Sequence, residues 1–228
     1  PFEYSGLSEV TLEDGTTNIA EGLFTFCKNL STINIPSSVT TINNYAFYGC
    51  ESLTSFTIPA NVTTLGAQVF YDSGVTEMFI PKTLKTAGNN TMSAFEGSNI
   101  AKITLEEGID TISTAEFTLC KKLTEVNLPS TLKTIENSAF QGCDALVSIT
   151  IPYGVISIEG YAFADCAALE KVVIPSSVTS IATLGGQHIF AHIKTSGDKY
   201  PTMYVKEGSY AQTYAKDNNI NYVVADVE

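Results

Sequence analysis

Hydrophobic positions in this chain recur about every 23 residues, with a fixed arrangement of polar positions between them. The pattern is plainest in LTEVNLPSTLKTIENSAFQGCDA from Leu123, which LVSITIPYGVISIEGYAFADCAA follows from Leu146. Counting Leu123 as place 1, Leu recurs at place 1, apolar residues at 4, 6, 10 and 13, Pro at 7, Ala-Phe at 17 and 18, and Cys at 21. Units begin at Leu7, Leu30, Leu53, Val75, Ile100, Leu123, Leu146 and Leu169, with spacings of 23, 23, 22, 25, 23, 23 and 23. Place 18 is Phe in all eight (Phe24, Phe47, Phe70, Phe95, Phe117, Phe140, Phe163 and Phe190), and six of the eight prolines stand at place 7.

A period of this length signals a solenoid, whose units are each too small to bury their own apolar face and do so against their neighbours. Places 1 to 6 are rich in β-branched residues and end in alternation, as in Leu146-Val147-Ser148-Ile149-Thr150-Ile151, so they predict a short strand. Proline has no N–H to give a ladder, and therefore ends the strand at the same place in each unit that carries it. The return segment, with apolar residues at places 10 and 13 and the Ala-Phe pair, is expected to form helical or 3₁₀ turns. Each Phe is expected to sit over the Phe of the next unit. That register predicts a sharp loss of stability for Phe140→Ala and almost none for Glu136→Ala on the return segment.

Two units depart from the period. The fourth gains three residues in GNNTMSA before Phe95, and the eighth gains four in ATLGGQHI before Phe190, followed by a polar run from His192 to Pro201. Such insertions map to loops, where function often sits. After Pro201 the repeat stops. Met203-Tyr204-Val205 and Tyr222-Val223-Val224 are strand-like, and Ser209 is placed to N-cap a helix over Tyr210 to Asp217. The expected organisation is a repeat array over 1–201 and a strand-helix-strand cap over 202–228. At the other end, Phe2-Glu3-Tyr4-Ser5-Gly6-Leu7 matches Phe70-Tyr71-Asp72-Ser73-Gly74-Val75, so the chain is expected to be a piece of a longer protein that starts inside a coil.

Composition narrows the partners. At 44% hydrophobic and 16% charged the chain has ample material for a packed interior. Its net charge is −12, a sign that repels phosphate backbones and anionic headgroups, so no nucleic acid is expected as a partner. No apolar run is long enough to cross a bilayer, and no direct membrane insertion is expected of this segment.

The skeleton of the repeat resembles the leucine-rich repeat, although place 9 (Ser38, Asn61, Thr83, Gly108, Thr131, Gly154, Ser177) lacks the regular Asn or Cys. The combination of IP-x-x-V-T-x-I with A-F-x-G-C, best seen in Ile35 to Cys50 and Leu128 to Cys143, is similar to the BspA-like subclass. That resemblance implies a curved, right-handed leucine-rich-repeat solenoid. It would carry a parallel β-sheet on the concave face and short helical, 3₁₀ or irregular return segments. It also implies a bacterial cell-surface or secreted protein that adheres to a protein or glycan, with no catalytic residues and no cofactor.

Residues that suggest chemistry have plainer readings. Cys27, Cys50, Cys120, Cys143 and Cys166 all occupy place 21, with Ser73 and Ser98 there in the units between, which makes a packing column of free thiols rather than a disulfide or metal set. His188 and His192 share the spacing of a zinc pair, but Phe190 between them belongs to the core column. Dinucleotide, nucleophile-elbow and phosphate-loop motifs are absent. The sequons at Asn29, Asn61 and Asn89 are what a Thr-rich chain yields by chance, on exposed edges.

If places 4 and 6 face inward, places 3 and 5 face outward. From the fourth unit onward this outward face gathers Glu77, Phe79, Lys102, Glu125, Asn127, Thr150, Lys171 and Val173, with Tyr153 nearby at place 8. Exposed aromatics among charges mark interface hot spots. The expected function is non-catalytic recognition of a protein or glycan. The alternatives are a passive spacer in a larger surface protein and, more distantly, an enzyme built beside one of the two insertions.

Overall fold

A computed structural model describes residues 2–88, 92–183, 188–191 and 200–227. The protein forms two compact units, Pro1–Glu106 and Glu107–Glu228. Each is a parallel-strand β-solenoid.

In the first unit the strands at places 3 to 6 pair in the register of the repeat. Glu9–Thr11 lies parallel to Thr32–Asn34, with Val10 opposite Ile33, and Glu77–Ile80 lies parallel to Lys102–Leu105, with Met78 opposite Ile103. The second unit has Glu125–Asn127 and a four-stranded parallel sheet of Ser148–Thr150, Lys171–Ile174, Thr202–Val205 and Tyr222–Val224. The second unit ends in a strand, a helix and a strand. Its helix, Tyr210–Asp217, is capped by Ser209, whose Oγ accepts from the Gln212 N–H at 3.2 Å. Its two strands extend the sheet of the repeats.

Proline does more than end a strand. At place 7 its carbonyl accepts from the N–H at place 10, as in Pro59 to Val62 (2.9 Å) and Pro129 to Leu132 (3.2 Å), so the same residue opens the turn that swings the next apolar side chain inward. Two-residue parallel strands follow at places 12 and 13, a second ladder that the pattern did not predict. It runs through Asn18–Ile19, Thr41–Ile42, Thr64–Leu65 and Thr86–Ala87 in the first unit. In the second it runs through Thr111–Ile112, Thr134–Ile135, Ser157–Ile158 and Ser180–Ile181.

The segment expected to be helical or 3₁₀ is a run of successive turns, because its N–H groups alternate between two kinds of acceptor. In the coil from Leu123, Ala139, Gln141 and Cys143 donate to carbonyls three residues back, at 3.0 to 3.3 Å. Between them, Ser138, Phe140 and Gly142 donate to Gly160, Ala162 and Ala164 of the next coil, at 2.8 to 3.1 Å. Half the donors are thus committed to the neighbouring coil, and a continuous helix cannot form. Place 20 takes positive φ in this run: 67° at Gly49 and 71° at Gly142, but 54° at Phe26 and 55° at Leu119. Where one coil spends a large side chain there, the next has glycine, since a Cβ on Gly49 would lie 2.5 Å from the Phe26 ring and one on Gly142 2.7 Å from Leu119.

The phenylalanine column is the core. All eight rings at place 18 are fully buried. Successive centroids are 5.7, 6.0 and 6.2 Å apart from Phe24 to Phe95, and 5.5, 5.6 and 6.2 Å from Phe117 to Phe190. Phe2 stacks on Phe24 at 6.0 Å as the same residue of a preceding coil. One position breaks the first unit's sheet. Place 4 carries Phe56 in the third coil, where the other coils have Val, Ile or Met. Its ring wedges between Phe47 (5.1 Å) and Phe70 (4.9 Å), and residues 55–57 form no strand.

Candidate recognition surfaces

Alternation along each strand decides what faces solvent. In the first unit Met78 and Ile80 are buried while Glu77 and Phe79 are exposed, Phe79 by 49%. Lys102 and Thr104 stand beside them on the next strand, in register with Glu77 and Phe79 respectively. Opposite charges one strand apart, next to an exposed ring, make a mixed polar and aromatic patch. These four residues line a hollow of about 290 Å³ whose floor includes Phe56 and Met78. A neighbouring hollow of about 420 Å³ lies where the ladder is interrupted, between Thr32, Ile33 and Asn34 on one side and Ser55, Phe56 and Thr57 on the other. At the exit of the patch Lys82 bridges Glu106 at 3.2 Å, and its N–H donates to the same carboxylate at 2.9 Å. These bonds hold the Glu106 carboxyl below the ordinary range.

In the second unit Glu125 and Asn127 are exposed on one strand, and the Asn127 amide donates to Glu125 at 3.1 Å. Thr150 and Val173 are register neighbours on the four-stranded sheet. Lys171 lays its Nζ 4.5 Å over the ring of Tyr204. Tyr153, just past the Pro152 stop, is 60% exposed. The row through Thr150 and Val173 continues into Tyr204 and Val223 of the last two strands, an extension that sequence reasoning missed. The alternation of Met203-Tyr204-Val205 carries the signal, which the 23-residue period, ending before it, does not.

The cysteines form the expected buried column of free thiols. Their Sγ atoms reach the carbonyl of the preceding coil's Phe: Cys50 to Phe24 (3.2 Å), Cys143 to Phe117 (3.3 Å) and Cys166 to Phe140 (3.1 Å). Ser73 and Ser98, with the shorter Cβ–O bond, leave their Oγ atoms without a partner among the described residues. Burial pushes the Cys50 thiol up to about 12 and the Cys143 thiol well above its ordinary value. One coil carries a carboxyl immediately before its core ring. Glu116 stands at place 17, where the best copies have Ala. It is half-buried, accepts from the Ser113 N–H at 2.8 Å, and is pushed up to about 7 chiefly by burial, with Glu136 nearby adding to the shift.

His188 turns inward. Its Nδ1 accepts from the Phe190 N–H at 3.0 Å, its ring meets Tyr200 edge-on at 4.4 Å, and burial lowers its pKa. His192, four residues on, lies outside the described residues, as do Asn89 to Thr91 of the first insertion and Leu184 to Gln187 of the second. Among the described residues no group of three or more His, Cys, Asp or Glu is placed to hold a metal ion. No described helix is long and apolar enough to cross a membrane. Asn29 and Asn61 are exposed.

A six-copy model of the BspA type leucine rich repeat region matches residues 1–93 and 90–195. The chain belongs to the BspA-type leucine-rich-repeat family. Two solved structures share the fold, and a third is similar in sequence. A leucine-rich repeat protein from Bacteroides ovatus is 22% identical with a TM-score of 0.54, over 96% of this chain and 66% of its own. The leucine-rich repeat protein of T. pallidum is 26% identical with a TM-score of 0.54, over 64% of this chain and 68% of its own. A leucine rich cell surface protein from Faecalibacterium prausnitzii is 27% identical with a TM-score of 0.49, over 92% of this chain and 62% of its own. This BspA-type chain therefore spans less than two thirds of the length of that last structure. Among curated proteins, none matches it in sequence.

Proposed function

We propose that this BspA-type chain is a non-catalytic recognition module of a cell-surface or secreted protein, and that it binds a protein or glycan partner through the outward strand face. One observation carries the reading. Phe79 holds a large apolar ring half in solvent, at the edge of a hollow of about 290 Å³ and beside the oppositely charged pair Glu77 and Lys102. A ring exposed on a strand whose alternate residues are well buried is costly to leave in water, and it suits a surface that a partner covers. In the second unit Tyr153, Lys171 and Val173 offer the same mixture.

The test is an array of immobilised extracellular-matrix proteins and glycans, probed with the native chain and with Phe79→Ala and Tyr153→Ala. Both side chains are exposed, so the circular dichroism melts should be unchanged. The expected result is a partner bound by the native chain and bound at least about tenfold more weakly by one of the variants. Equal binding by all three forms would remove the strand face as the site, and no binding by the native chain would leave the passive spacer as the reading.

A further inference from the structure

A second surface of the first unit has nothing to do with the strand face. Tyr4, Phe26, Tyr48 and Tyr71 run along the turn side of successive coils, Tyr4 on Phe26 at 4.9 Å and Tyr48 on Tyr71 at 4.6 Å, both pairs stacked. In the middle of the row the geometry changes. Tyr48 stands at 75° to Phe26 (5.2 Å) and at 70° to Tyr45 (6.2 Å), so three rings wall a corner instead of forming a platform. That corner is part of a hollow of about 520 Å³, whose lining also includes Glu3, Glu21, Gly22 and Thr25.

The chemistry of the hollow selects its ligand. Coplanar rings offer faces to a flat sugar or base, whereas steeply inclined rings surround a compact group with π-density and suit a cation. Both carboxylates are exposed at the lining. Residues 1–72 contain seven acidic side chains (Glu3, Glu9, Glu13, Asp14, Glu21, Glu51 and Asp72) and one basic, Lys28, which Glu51 engages at 2.6 Å. The excess of negative charge draws cations toward this end of the unit and repels anions. Burial, with Tyr71 and Asp72 beside it, also raises the Tyr48 phenol.

We infer that the Phe26, Tyr45 and Tyr48 corner, with Glu3 and Glu21, is a binding site for a cationic side chain, arginine or lysine, presented by a basic segment of a protein partner. Guanidinium fits best, since it stacks on rings and takes a carboxylate bidentately at the same time. The surface is independent of the strand face, and its test does not depend on the partner proposed there.

The probes are tetra-arginine, tetra-lysine, tetra-citrulline and tetramethylammonium, titrated into the native chain and followed by calorimetry and by aromatic proton shifts. Tetra-arginine should bind and shift the Tyr45 and Tyr48 ring resonances, while tetra-citrulline, the same shape without charge, should not. Glu3→Gln with Glu21→Gln, and separately Tyr48→Leu, should each weaken tetra-arginine about tenfold. Glu207→Gln, an exposed carboxylate of the other unit, should leave it unchanged. Melts of each variant separate loss of binding from loss of fold, and the Gln pair, being exposed, keeps the test valid should Tyr48→Leu prove unstable. The inference is overturned by any of four results: no tetra-arginine binding up to about 10 mM, equal binding of tetra-citrulline, equal weakening by Glu207→Gln, or tetramethylammonium binding more tightly than both basic peptides.

Discussion

Replacing Phe140 with alanine removes one ring from the middle of a stack. Phe140 is fully buried, with Phe117 at 5.5 Å on one side and Phe163 at 5.6 Å on the other. Truncating a buried Phe costs about 3–5 kcal/mol through lost transfer energy and the cavity left behind. Two ring pairs are broken at once, each worth about 0.5–1.5 kcal/mol beyond its area, which places the cost in the upper part of that range. A solenoid transmits the loss to both neighbouring coils, since each coil is held only by the two beside it. For a chain of this size the midpoint of thermal unfolding should fall by on the order of 10 °C or more. Lys122→Ala, an exposed side chain of the same unit, should stay within about 0.5 kcal/mol of the parent. Glu136 is not the silent control its sequence position suggested, because its Oε2 accepts from both the N–H and the hydroxyl of Thr114 at 2.9 Å. Melts of the three proteins by circular dichroism decide the matter. Equal midpoints for Phe140→Ala and Lys122→Ala would show that the ring column does not carry the fold.

Three further outcomes are expected. A thiol reagent at neutral pH should label none of the five cysteines of the native protein and all of them in denaturant; rapid labelling of even one would contradict the buried column. Because burial raises the Cys50 thiol from 9.0 to about 12, the folded state holds a proton that the unfolded state releases, so stability should be intact below pH 9 and fall as pH rises from there toward 12. Glu116, raised from 4.5 to about 7, behaves likewise at lower pH. Its contribution is present below about 4.5 and lost as pH climbs through 7, so Glu116→Gln should raise the midpoint at pH 8 and not at pH 4, and an identical gain at both would exclude the shifted carboxyl.

Much of the molecule was legible before any coordinates. The ring column at place 18 is buried in every coil and places 1, 10 and 13 are buried in most, because a side chain that recurs once per coil meets its own copy in the next coil; Leu7, Leu84 and Ile109 are only half-buried. The outward direction of Glu77, Phe79 and Thr150 followed from the period of two along a strand. Other features were out of reach of periodicity. Phe56 satisfies the rule "apolar at place 4", yet its size interrupts the sheet, and size matters only against the Phe47 and Phe70 rings it must fit between. The turn segment looked helical because local spacing cannot show which carbonyl an N–H will choose.

Translational repetition belongs to the sequence alone: a strand-like segment and a phenylalanine in every coil, a proline stop in six of the eight, and therefore a parallel solenoid. Tertiary structure decided what the coils do between their repeated places. It closed the second ladder at Thr134–Ile135 and its neighbours, joined Thr202–Val205 and Tyr222–Val224 to the sheet, and folded Phe26, Tyr45 and Tyr48 into a corner with Glu3 and Glu21. The physical reason is the same in each case. A column repeats by symmetry and can be read along the chain, whereas a corner between unlike residues of different coils exists only once those coils are stacked.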